Sequence, residues 1–165
     1  SIIDKNCIIG KNSKIWHWTH ISKNSKIGIN CTIGQNVFIG ENVKIGNNVK
    51  IQNNVSVYEG VTIEDDVFCG PSVVFTNVKY PIATKKINKK NYEKTLIKKG
   101  ATLGANSTIL CGVTVGKNSL IGAGSVITKN IKKEAVVIGN PGVEIKKKNL
   151  HKNRINKKSS KKKNS

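Results

Sequence analysis

The sequence predicts an all-β fold, a parallel β-helix of six-residue repeats with one extruded loop. Three observations predict it. Apolar residues recur at every sixth position from Ile3 to Phe75 without a break. Small or β-branched residues lie two positions before them, from Cys7 to Val73. The register breaks once and resumes at Ile97. A short repeat of this kind is typical of a solenoid, whose stacked coils bury one continuous core.

Each repeat is expected to supply one short strand and one turn. The inward positions of the first series are Ile3, Ile9, Ile15, Ile21, Ile27, Ile33, Ile39, Ile45, Ile51, Val57, Ile63, Cys69 and Phe75, and those of the second are Ile97, Leu103, Ile109, Val115, Ile121 and Ile127. If three repeats form one triangular coil, residues eighteen apart stack about 4.8 Å from each other, as neighbouring strands do.

Glycine often follows the inward aliphatic residue, and asparagine often precedes the small inward one. Both patterns predict corners of the prism. We expect glycine there because a tight corner demands backbone angles that side chains resist. Asparagine is expected because it enters the left-handed region more readily than most residues with a side chain.

The interval from Phe75 to Ile97 is twenty-two residues, which is not a multiple of six. Residues 77–96 are therefore predicted to leave the prism as a loop. It contains Tyr80 and Pro81, and long loops on a rigid scaffold often carry function. The β-helix domain is expected to span residues 1–145, with a lysine-rich tail over 146–165.

The charge of +20 is concentrated in two segments. Residues 146–165 hold ten basic residues and no acid, and residues 79–99 hold eight basic residues and one acid, Glu93. The tail lacks hydrophobic periodicity, so we expect it to be disordered and to bind polyanions weakly, without specific recognition of nucleic acid. The remaining coils are nearly balanced.

The four cysteines are widely separated, and three lie at inward positions, which predicts core residues and neither a disulfide framework nor a metal site. The sequence has neither an apolar run long enough to span a membrane nor a recognisable signal peptide. We expect a cytoplasmic protein without bound metal.

Stacking by eighteen also arranges the outward residues in columns. Two adjacent columns hold His17, Gln35 and Asn53, and Trp16, Gly34 and Gln52; another holds Glu41, Glu59 and Asn77. Exposed tryptophans such as Trp16 and Trp18 often mark an interface, so this face is expected to meet another subunit. Asn77 lies where the chain leaves the prism. A turn-capping role for Asn77, a solvated charge at Glu59 and interface packing of the histidines are the plainer alternatives.

Several runs together resemble one enzyme family. They are IWHWTHI at 15–21, GQNVFIG at 34–40, IQNNVSVY at 51–58, EDDVFCGPSVVFTN at 64–77 and IGNP at 138–141. Over residues 3–145 the chain resembles the left-handed β-helix hexapeptide acyltransferases, and most of all nucleotide-sugar N-acetyltransferases. The nearest resemblance is to enzymes that acetylate UDP-2-acetamido-3-amino-2,3-dideoxyglucuronate (the WbpD and WlbB type), which serve surface polysaccharide such as O-antigen.

The resemblance implies a homotrimer with active sites between adjacent prisms, acetyl-CoA as cosubstrate and no membrane span. It assigns catalysis to Asn77, which would orient the amino sugar. Contacts with the nucleotide sugar are expected from His17, Gln52, Asn53, Tyr80 and Pro81, and contacts with CoA from Gly104, Ala105, Gly122, Ala123, Thr128, Pro141 and Lys146. Two departures from the family pattern are Ile82 after Pro81 and Val143 after the terminal Asn-Pro, where basic residues are common.

The implied reaction is attack of a neutral sugar amine on the thioester, promoted mainly by positioning. Glu59 is the first candidate for the base that removes the proton, and His20 is the second. The departing CoA thiolate could also accept it.

Three rival interpretations follow from the same sequence. A related acceptor would be a dTDP-3-amino-deoxyhexose. A γ-class carbonic anhydrase needs three zinc-binding histidines, but only His17, His20 and His151 exist, and His151 lies in the tail. A non-enzymatic trimeric scaffold with polyanion-binding tails is the third.

Overall fold

The computed structural model describes residues 1–84 and 88–145. They form a triangular prism of three parallel β-sheets, wound as a parallel β-solenoid. The predicted all-β helix of six-residue repeats is therefore confirmed, while its left hand stays a prediction from the resemblance. The tail predicted over 146–165, with Lys146, lies outside the described residues.

Each coil contributes one strand to each sheet. Sheet 1 contains β1 (Ile2–Ile3), β4 (His20–Ile21), β7 (Phe38–Ile39), β10 (Ser56–Val57), β13 (Val74–Phe75), β16 (Thr108–Ile109) and β19 (Val126–Ile127). Sheet 2 contains β2 (Ile8–Ile9), β5 (Lys26–Ile27), β8 (Lys44–Ile45), β11 (Val61–Ile63), β14 (Thr95–Ile97) and β17 (Thr114–Val115). Sheet 3 contains β3 (Lys14–Ile15), β6 (Thr32–Ile33), β9 (Lys50–Ile51), β12 (Phe68–Cys69), β15 (Thr102–Leu103), β18 (Leu120–Ile121), β20 (Val136–Ile138) and β21 (Val143–Ile145).

Strand pairing confirms the eighteen-residue coil. In sheet 3, for example, Ile15 is the register partner of Ile33, and Ile33 is that of Ile51. Across the loop the interval widens, because Phe75 pairs with Ile109, thirty-four residues away. The loop therefore adds sixteen residues to one coil without changing the order of the coils on either side.

The second residue of nearly every strand points inward and forms the core. Ile21, Ile33, Ile39, Val57 and Ile109 are fully buried. The cysteines are unpaired thiols, as predicted. Cys69 is fully buried, and burial raises the pKa of its thiol to about 12, so it packs as a small apolar residue.

Asparagines at the corners adopt the left-handed conformation, as predicted, with φ between 55° and 62° at the following positions: Asn6, Asn12, Asn24, Asn30, Asn36, Asn42, Asn48 and Asn54. Their carboxamides also form ladders between coils. Asn12 donates to Asn30 over 3.3 Å, and Asn30 donates to Asn48 over 3.3 Å. The same residue thus supplies both the unusual backbone angle and a bond to the next coil.

We expected the glycines after the inward aliphatic residues to supply backbone angles that side chains resist. That reason was wrong. Gly34 and Gly104 are not among the glycines with positive φ. A Cβ on Gly34 would lie 2.7 Å from the backbone N of Asn53, and one on Gly104 would lie 2.5 Å from that of Ala123. These glycines are required by the close approach of successive coils.

The loop leaves sheet 1 after Phe75 as predicted, but it returns two residues earlier than expected. Thr95 and Leu96 already belong to β14, where they pair with Val61 and Thr62. Thr95 is buried, and its hydroxyl accepts a hydrogen bond from the Gly112 amide. A polar residue at an inward position concealed this first pairing from the hydrophobic pattern. Within the loop, Lys89–Asn91 form a short 3₁₀-helix.

At the far end, β21 pairs with β20 in the antiparallel direction, which reverses the winding. In the part of the chain that the structure describes, no helix is long and apolar enough to cross a membrane.

Candidate active site

Two corners of the prism carry the predicted site residues. The tryptophan corner joins sheet 3 to sheet 1 and comprises residues 16–19, 34–37, 52–55, 70–73, 104–107 and 122–125. The loop corner joins sheet 1 to sheet 2 and comprises, among the described residues, 4–7, 22–25, 40–43, 58–60, 76–84, 88–94, 110–113 and 128–130. Sheet 1 lies between the two corners.

The structure brings one set of predicted residues together at the loop corner, namely Asn77, Glu59, Tyr80, Pro81 and Thr128. A second set lies at the tryptophan corner, namely His17, Gln52, Asn53, Gly104, Ala105, Gly122 and Ala123. His20 projects from the outer face of sheet 1, and Pro141 follows the last strands of the prism. Within one chain the two sets remain on opposite sides of sheet 1.

Asn77 differs from the asparagines that shape the corners. It is absent from the residues with positive φ, and its backbone carbonyl accepts the amide of Glu93 over 3.2 Å, which closes the base of the loop. Its carboxamide forms no hydrogen bond with any residue that the structure describes. Asn77 is half-buried. The side chain is therefore a donor and acceptor at the root of the loop that no described residue uses, and the turn-capping interpretation is not supported.

Glu59 is already engaged by neighbouring residues. Its Oε1 accepts a hydrogen bond from Asn42 over 2.8 Å, and its Oε2 lies 3.2 Å from the Lys89 ammonium. The same ammonium lies 2.7 Å from Glu41 Oε2. Glu41 and Glu59 thus share one column, as predicted. Both hold the 3₁₀-helix of the loop against the prism, so Glu59 has a structural role that competes with general-base catalysis.

His20 has the environment of an oriented imidazole. Its Nε2 lies 3.2 Å from Asp4 Oδ1, and its ring meets Phe38 edge-on at 5.7 Å. If Asp4 accepts the Nε2 proton, Nδ1 is the basic nitrogen. However, Phe38 and Ser56 separate His20 from Val74 along sheet 1. Three coils amount to a rise of about 14 Å, so His20 does not reach Asn77 within one chain.

The tryptophan corner has an exposed outer surface. Trp18 is 73% exposed and Trp16 is 50% exposed, and the His17 ring lies 6.1 Å from that of Trp18. Asn53 holds this corner together, since its Oδ1 accepts the Gln35 amide over 2.9 Å. Gln52 is half-buried. Two large aromatic side chains side by side in solvent make this corner a candidate contact surface.

The predicted cofactor-binding residues Gly104, Ala105, Gly122 and Ala123 stack on the later coils of the same corner. A Cβ on Gly122 would lie 2.8 Å from Ile138 Cγ2. With the approach of Gly104 to Ala123, this shows that packing between coils already demands small residues here. Their part in binding CoA stays a prediction.

A cavity of about 520 Å³ lies on the side of the loop root that faces the later coils. We call it the upper cavity. Its walls are Thr76, Val78, Lys79, Pro81 and Glu93 from the loop, with corner residues 110–113 and 128–130. Pro81 and Thr128 of the predicted site meet here. Apolar side chains cover part of the wall, and the lysines Lys79 and Lys129 are exposed.

A second cleft, of about 450 Å³, lies on the opposite side of the loop root, against the earlier coils. We call it the lysine cleft. It is lined by Lys44 on β8, by Glu59 and Thr62, and by the loop residues Lys89, Lys90, Tyr92 and Lys94. The two cavities lie on opposite sides of the loop root. Asn77 lines neither of them, but its chain neighbours Thr76 and Val78 line the upper cavity.

Glu59 is the only residue of the lysine cleft that the sequence predicted as a site residue. For the lysines, the +7 charge of residues 79–99 was the available signal, but a segment outside the repeats has no register from which its neighbours can be predicted. Lys89 and Glu41 are forty-eight residues apart, and only the folded loop brings them together.

Residues 6–41, 42–77 and 94–129 match the family described as bacterial transferase hexapeptide (six repeats). The chain belongs to this family. Residues 24–59 also match the hexapeptide repeat of succinyl-transferase. The predicted acyltransferase class is therefore confirmed. No curated protein matches the chain significantly.

Solved structures share the fold. Galactoside acetyltransferase, solved with coenzyme A, is 29% identical, with a TM-score of 0.64 over 79% of this chain and 64% of that one. The polySia-specific acetyltransferase NeuO is 23% identical, with a TM-score of 0.61 over 97% of this chain and 91% of that one. A mutant GDP-perosamine N-acetyltransferase from Caulobacter crescentus, solved with CoA and GDP-perosamine, is 15% identical, with a TM-score of 0.57 over 88% of this chain and 53% of that one. This chain thus spans about half of the perosamine enzyme.

Among residues 1–84 and 88–145, histidine, cysteine, aspartate and glutamate form no group of three or more that could hold a metal ion.

Proposed function

We propose that this chain is an acetyl-CoA-dependent N-acetyltransferase that acts on the amino group of a nucleotide-linked amino sugar. The carboxamide of Asn77, unpaired among the described residues, carries the proposal. It lies at the loop root beside the upper cavity, which its chain neighbours Thr76 and Val78 line together with Glu93, the donor to its backbone carbonyl. Family membership supplies the acyl-transfer chemistry, and a carboxamide can both accept from an amine and donate to a carbonyl oxygen.

The upper cavity suits the acetyl-pantetheine end of acetyl-CoA. This arm is a narrow, amphipathic chain, and the cavity offers Val78, Leu110 and Val113 as apolar contacts. Lys79 and Lys129 at its walls could meet phosphate oxygens. Thr128 keeps the CoA contact that the resemblance gives it, whereas Pro81, expected to contact the nucleotide sugar, would here line the CoA cavity. Lys146 stays a prediction outside the described residues.

We further propose that the enzyme is a homotrimer whose sites form between copies. The two sets of candidate residues are separated by sheet 1 in one chain. A second copy that places its tryptophan corner against the loop corner would unite them. Trp16 and Trp18 would then be covered, which accounts for two exposed tryptophans at one corner. His17, Gln52 and Asn53 of one copy would face Asn77 and Tyr80 of another.

The reaction forms a C–N bond and breaks a C–S bond. The lone pair of the neutral amine attacks the thioester carbonyl carbon, and the tetrahedral intermediate expels the CoA thiolate. The nitrogen then loses one proton, which leaves an amide and free CoA thiol. Asn77 is proposed to hold the amine in line with the carbonyl, so that most of the acceleration comes from positioning.

The geometry favours the leaving thiolate as the proton acceptor. Glu59 lies one coil from Asn77 but is held by Asn42 and Lys89. His20 has an orienting aspartate but lies about three coils from Asn77 of the same chain, so it would reach Asn77 only from a neighbouring copy. The thiolate is generated at the reacting carbon itself and needs neither residue.

The acceptor that we favour is UDP-2-acetamido-3-amino-2,3-dideoxyglucuronate, a precursor of surface polysaccharide such as O-antigen, on the strength of the runs at 51–58 and 64–77. A dTDP-3-amino-deoxyhexose is the alternative. The structural relative crystallised with GDP-perosamine, a nucleotide-linked amino sugar, supports the class of acceptor.

The test is an assay of CoA thiol release from acetyl-CoA, with a panel of UDP- and dTDP-linked amino sugars. The matched control for each sugar is the same molecule with its amine already acetylated. Amine-dependent thiol release, with the N-acetylated product identified by mass spectrometry, supports the proposal. Release with a hydroxyl acceptor such as a galactoside but with no amino sugar would overturn it. Light scattering that gives three times 18.0 kDa tests the trimer.

A further inference from the structure

Charge is distributed unevenly around the lysine cleft. Lys89 is neutralised by Glu41 and Glu59, and Lys23 lies 3.6 Å from Glu41. Lys44, Lys90 and Lys94 form no ion pair with any residue that the structure describes. Three lysines therefore line one cleft without an ion-pair partner among the described residues, and the one carboxylate in its lining, Glu59, is already paired with Lys89.

Strand register adds a fourth charge beside them. Lys26 on β5 is the direct partner of Lys44 on β8. Within the strand ladders of residues 1–84 and 88–145, no other register pair joins two side chains of like charge. Like charges directly opposite each other destabilise a sheet, and at the strand spacing of about 4.8 Å they are well inside the Debye length. An anion bound at this site would turn this repulsion into attraction.

The cleft also has the size and shape of a ligand site. Its volume of about 450 Å³ falls in the range of small-molecule pockets. One wall is β8 and β11 of the rigid prism, and the other is the 3₁₀-helix, which Lys89 fixes to Glu41. The lysines are thus held around the cleft by both walls.

We propose that the lysine cleft binds a diphosphate, the group that nucleotide sugars and coenzyme A both carry. Lys44, Lys90 and Lys94 would contact its oxygens, and Lys26 would strengthen the field. The inference rests on the proposed function only for the source of the diphosphate. If the acceptor supplies it, its sugar amine would approach Asn77 from the side opposite the upper cavity.

The first experiment is calorimetric titration of the full chain with inorganic pyrophosphate at low salt, because contacts of this kind weaken as salt rises. The K44Q/K94Q variant removes one lysine of the prism and one lysine of the loop from the lining of the cleft. The matched control is K14Q/K50Q, which changes two exposed lysines at the same strand position on sheet 3. We expect at least about tenfold weaker binding in K44Q/K94Q and a change within about twofold in K14Q/K50Q.

Failure of the wild-type chain to bind pyrophosphate would overturn the proposal, as would equal losses in both variants. Titrations with UDP and with CoA identify the source. A loss confined to UDP assigns the cleft to the acceptor, and a loss confined to CoA assigns it to the donor. Pyrophosphate binding requires no turnover, so an inactive enzyme in the thiol assay would refute the proposed function without refuting this site.

Discussion

Lys89, in the extruded loop, donates to Glu41 on the prism across 2.7 Å, although the two residues are forty-eight positions apart. Glu59, one coil further along, approaches the same ammonium to 3.2 Å. This bridge connects the 3₁₀-helix of the loop to the earlier coils. Several consequences can be measured.

Replacement of Lys89 by glutamine should loosen the loop. We expect chymotrypsin to cut at Tyr80 and Tyr92 about two to five times faster, because an exposed ion pair contributes modestly to the closed state. Cleavage is followed by mass spectrometry. The control is Lys133→Gln, an exposed lysine remote from the loop. Unchanged protection in Lys89→Gln would mean that other contacts hold the loop.

The bridge should also weaken in acid. The hydrogen bond from Lys89 lowers the pKa of Glu41 below its ordinary value of 4.5. A lowered carboxyl pKa gives stability that is present above the ordinary value and lost as pH falls through the folded-state value. Conversely, the raised pKa of Lys89 gives stability that persists up to its ordinary 10.5 and is lost above it. Hydrogen exchange of the loop amides, corrected for intrinsic rates, should therefore be slow at neutral pH and accelerate below pH 4.5. In Lys89→Gln, which lacks the ion pair, exchange of the loop amides should accelerate less below pH 4.5.

Asn77→Ala should reduce turnover at least about tenfold, because a positioning carboxamide at the reacting centre is lost. The measurement is steady-state thiol release with the best amino sugar. Asn91→Ala, which changes an exposed carboxamide on the 3₁₀-helix, serves as the matched control and should keep its rate. Near-normal turnover in Asn77→Ala would remove this residue from the site.

Glu59→Gln separates the possible proton acceptors. If the thiolate accepts the proton, turnover should stay within about threefold, since general-base catalysis supplies about a hundredfold or more. Glu41 would still hold Lys89 in this variant. The pH profile of kcat/KM is recorded for the variant and the wild type. A hundredfold fall with loss of the acid limb would identify Glu59 as the base.

The asparagine ladder makes a distinct stability prediction at Asn30, whose φ is 55°. The free energy of unfolding should be about 1–2 kcal/mol lower in Asn30→Ala than in Asn30→Gly, because only glycine accepts the left-handed conformation without strain. Guanidinium denaturation of the two variants gives the difference. At Asn47, which is absent from the residues with positive φ, alanine should be no worse than glycine. If the alanine variant were less stable than the glycine variant at both positions, backbone strain would not be the cause of the difference at Asn30.

Much of the fold could be predicted because one period governs it. The inward position of Ile51 and its pairing with Ile33 follow from counting by six and by eighteen. Outside the six-residue repeats, the sequence pattern no longer predicted which residues contact each other. The early return at Thr95 escaped because its side chain is polar, and the bridge from Lys89 to Glu41 escaped because loop residues carry no register.

The sequence could propose candidate site residues but not their arrangement in space. Asn77 was placed correctly at the loop root because the phase break marks it. By contrast, His17 and Asn77 were grouped by resemblance, and only the folded prism places sheet 1 between them. A role that depends on a second copy has no signature in the spacing of one chain.

Because each triangular coil contains eighteen residues, the number of residues between two positions decides which faces of the prism they occupy. Removal of eighteen residues takes out one full turn and leaves every later corner facing the same direction. Removal of six residues would shift every later coil by one face of the prism. The loop would then leave the prism at a different corner and could not meet the tryptophan corner of a neighbouring copy in the proposed trimer. Shorter or longer forms of this protein that keep the loop in its orientation are therefore accessible in whole turns and in no smaller step.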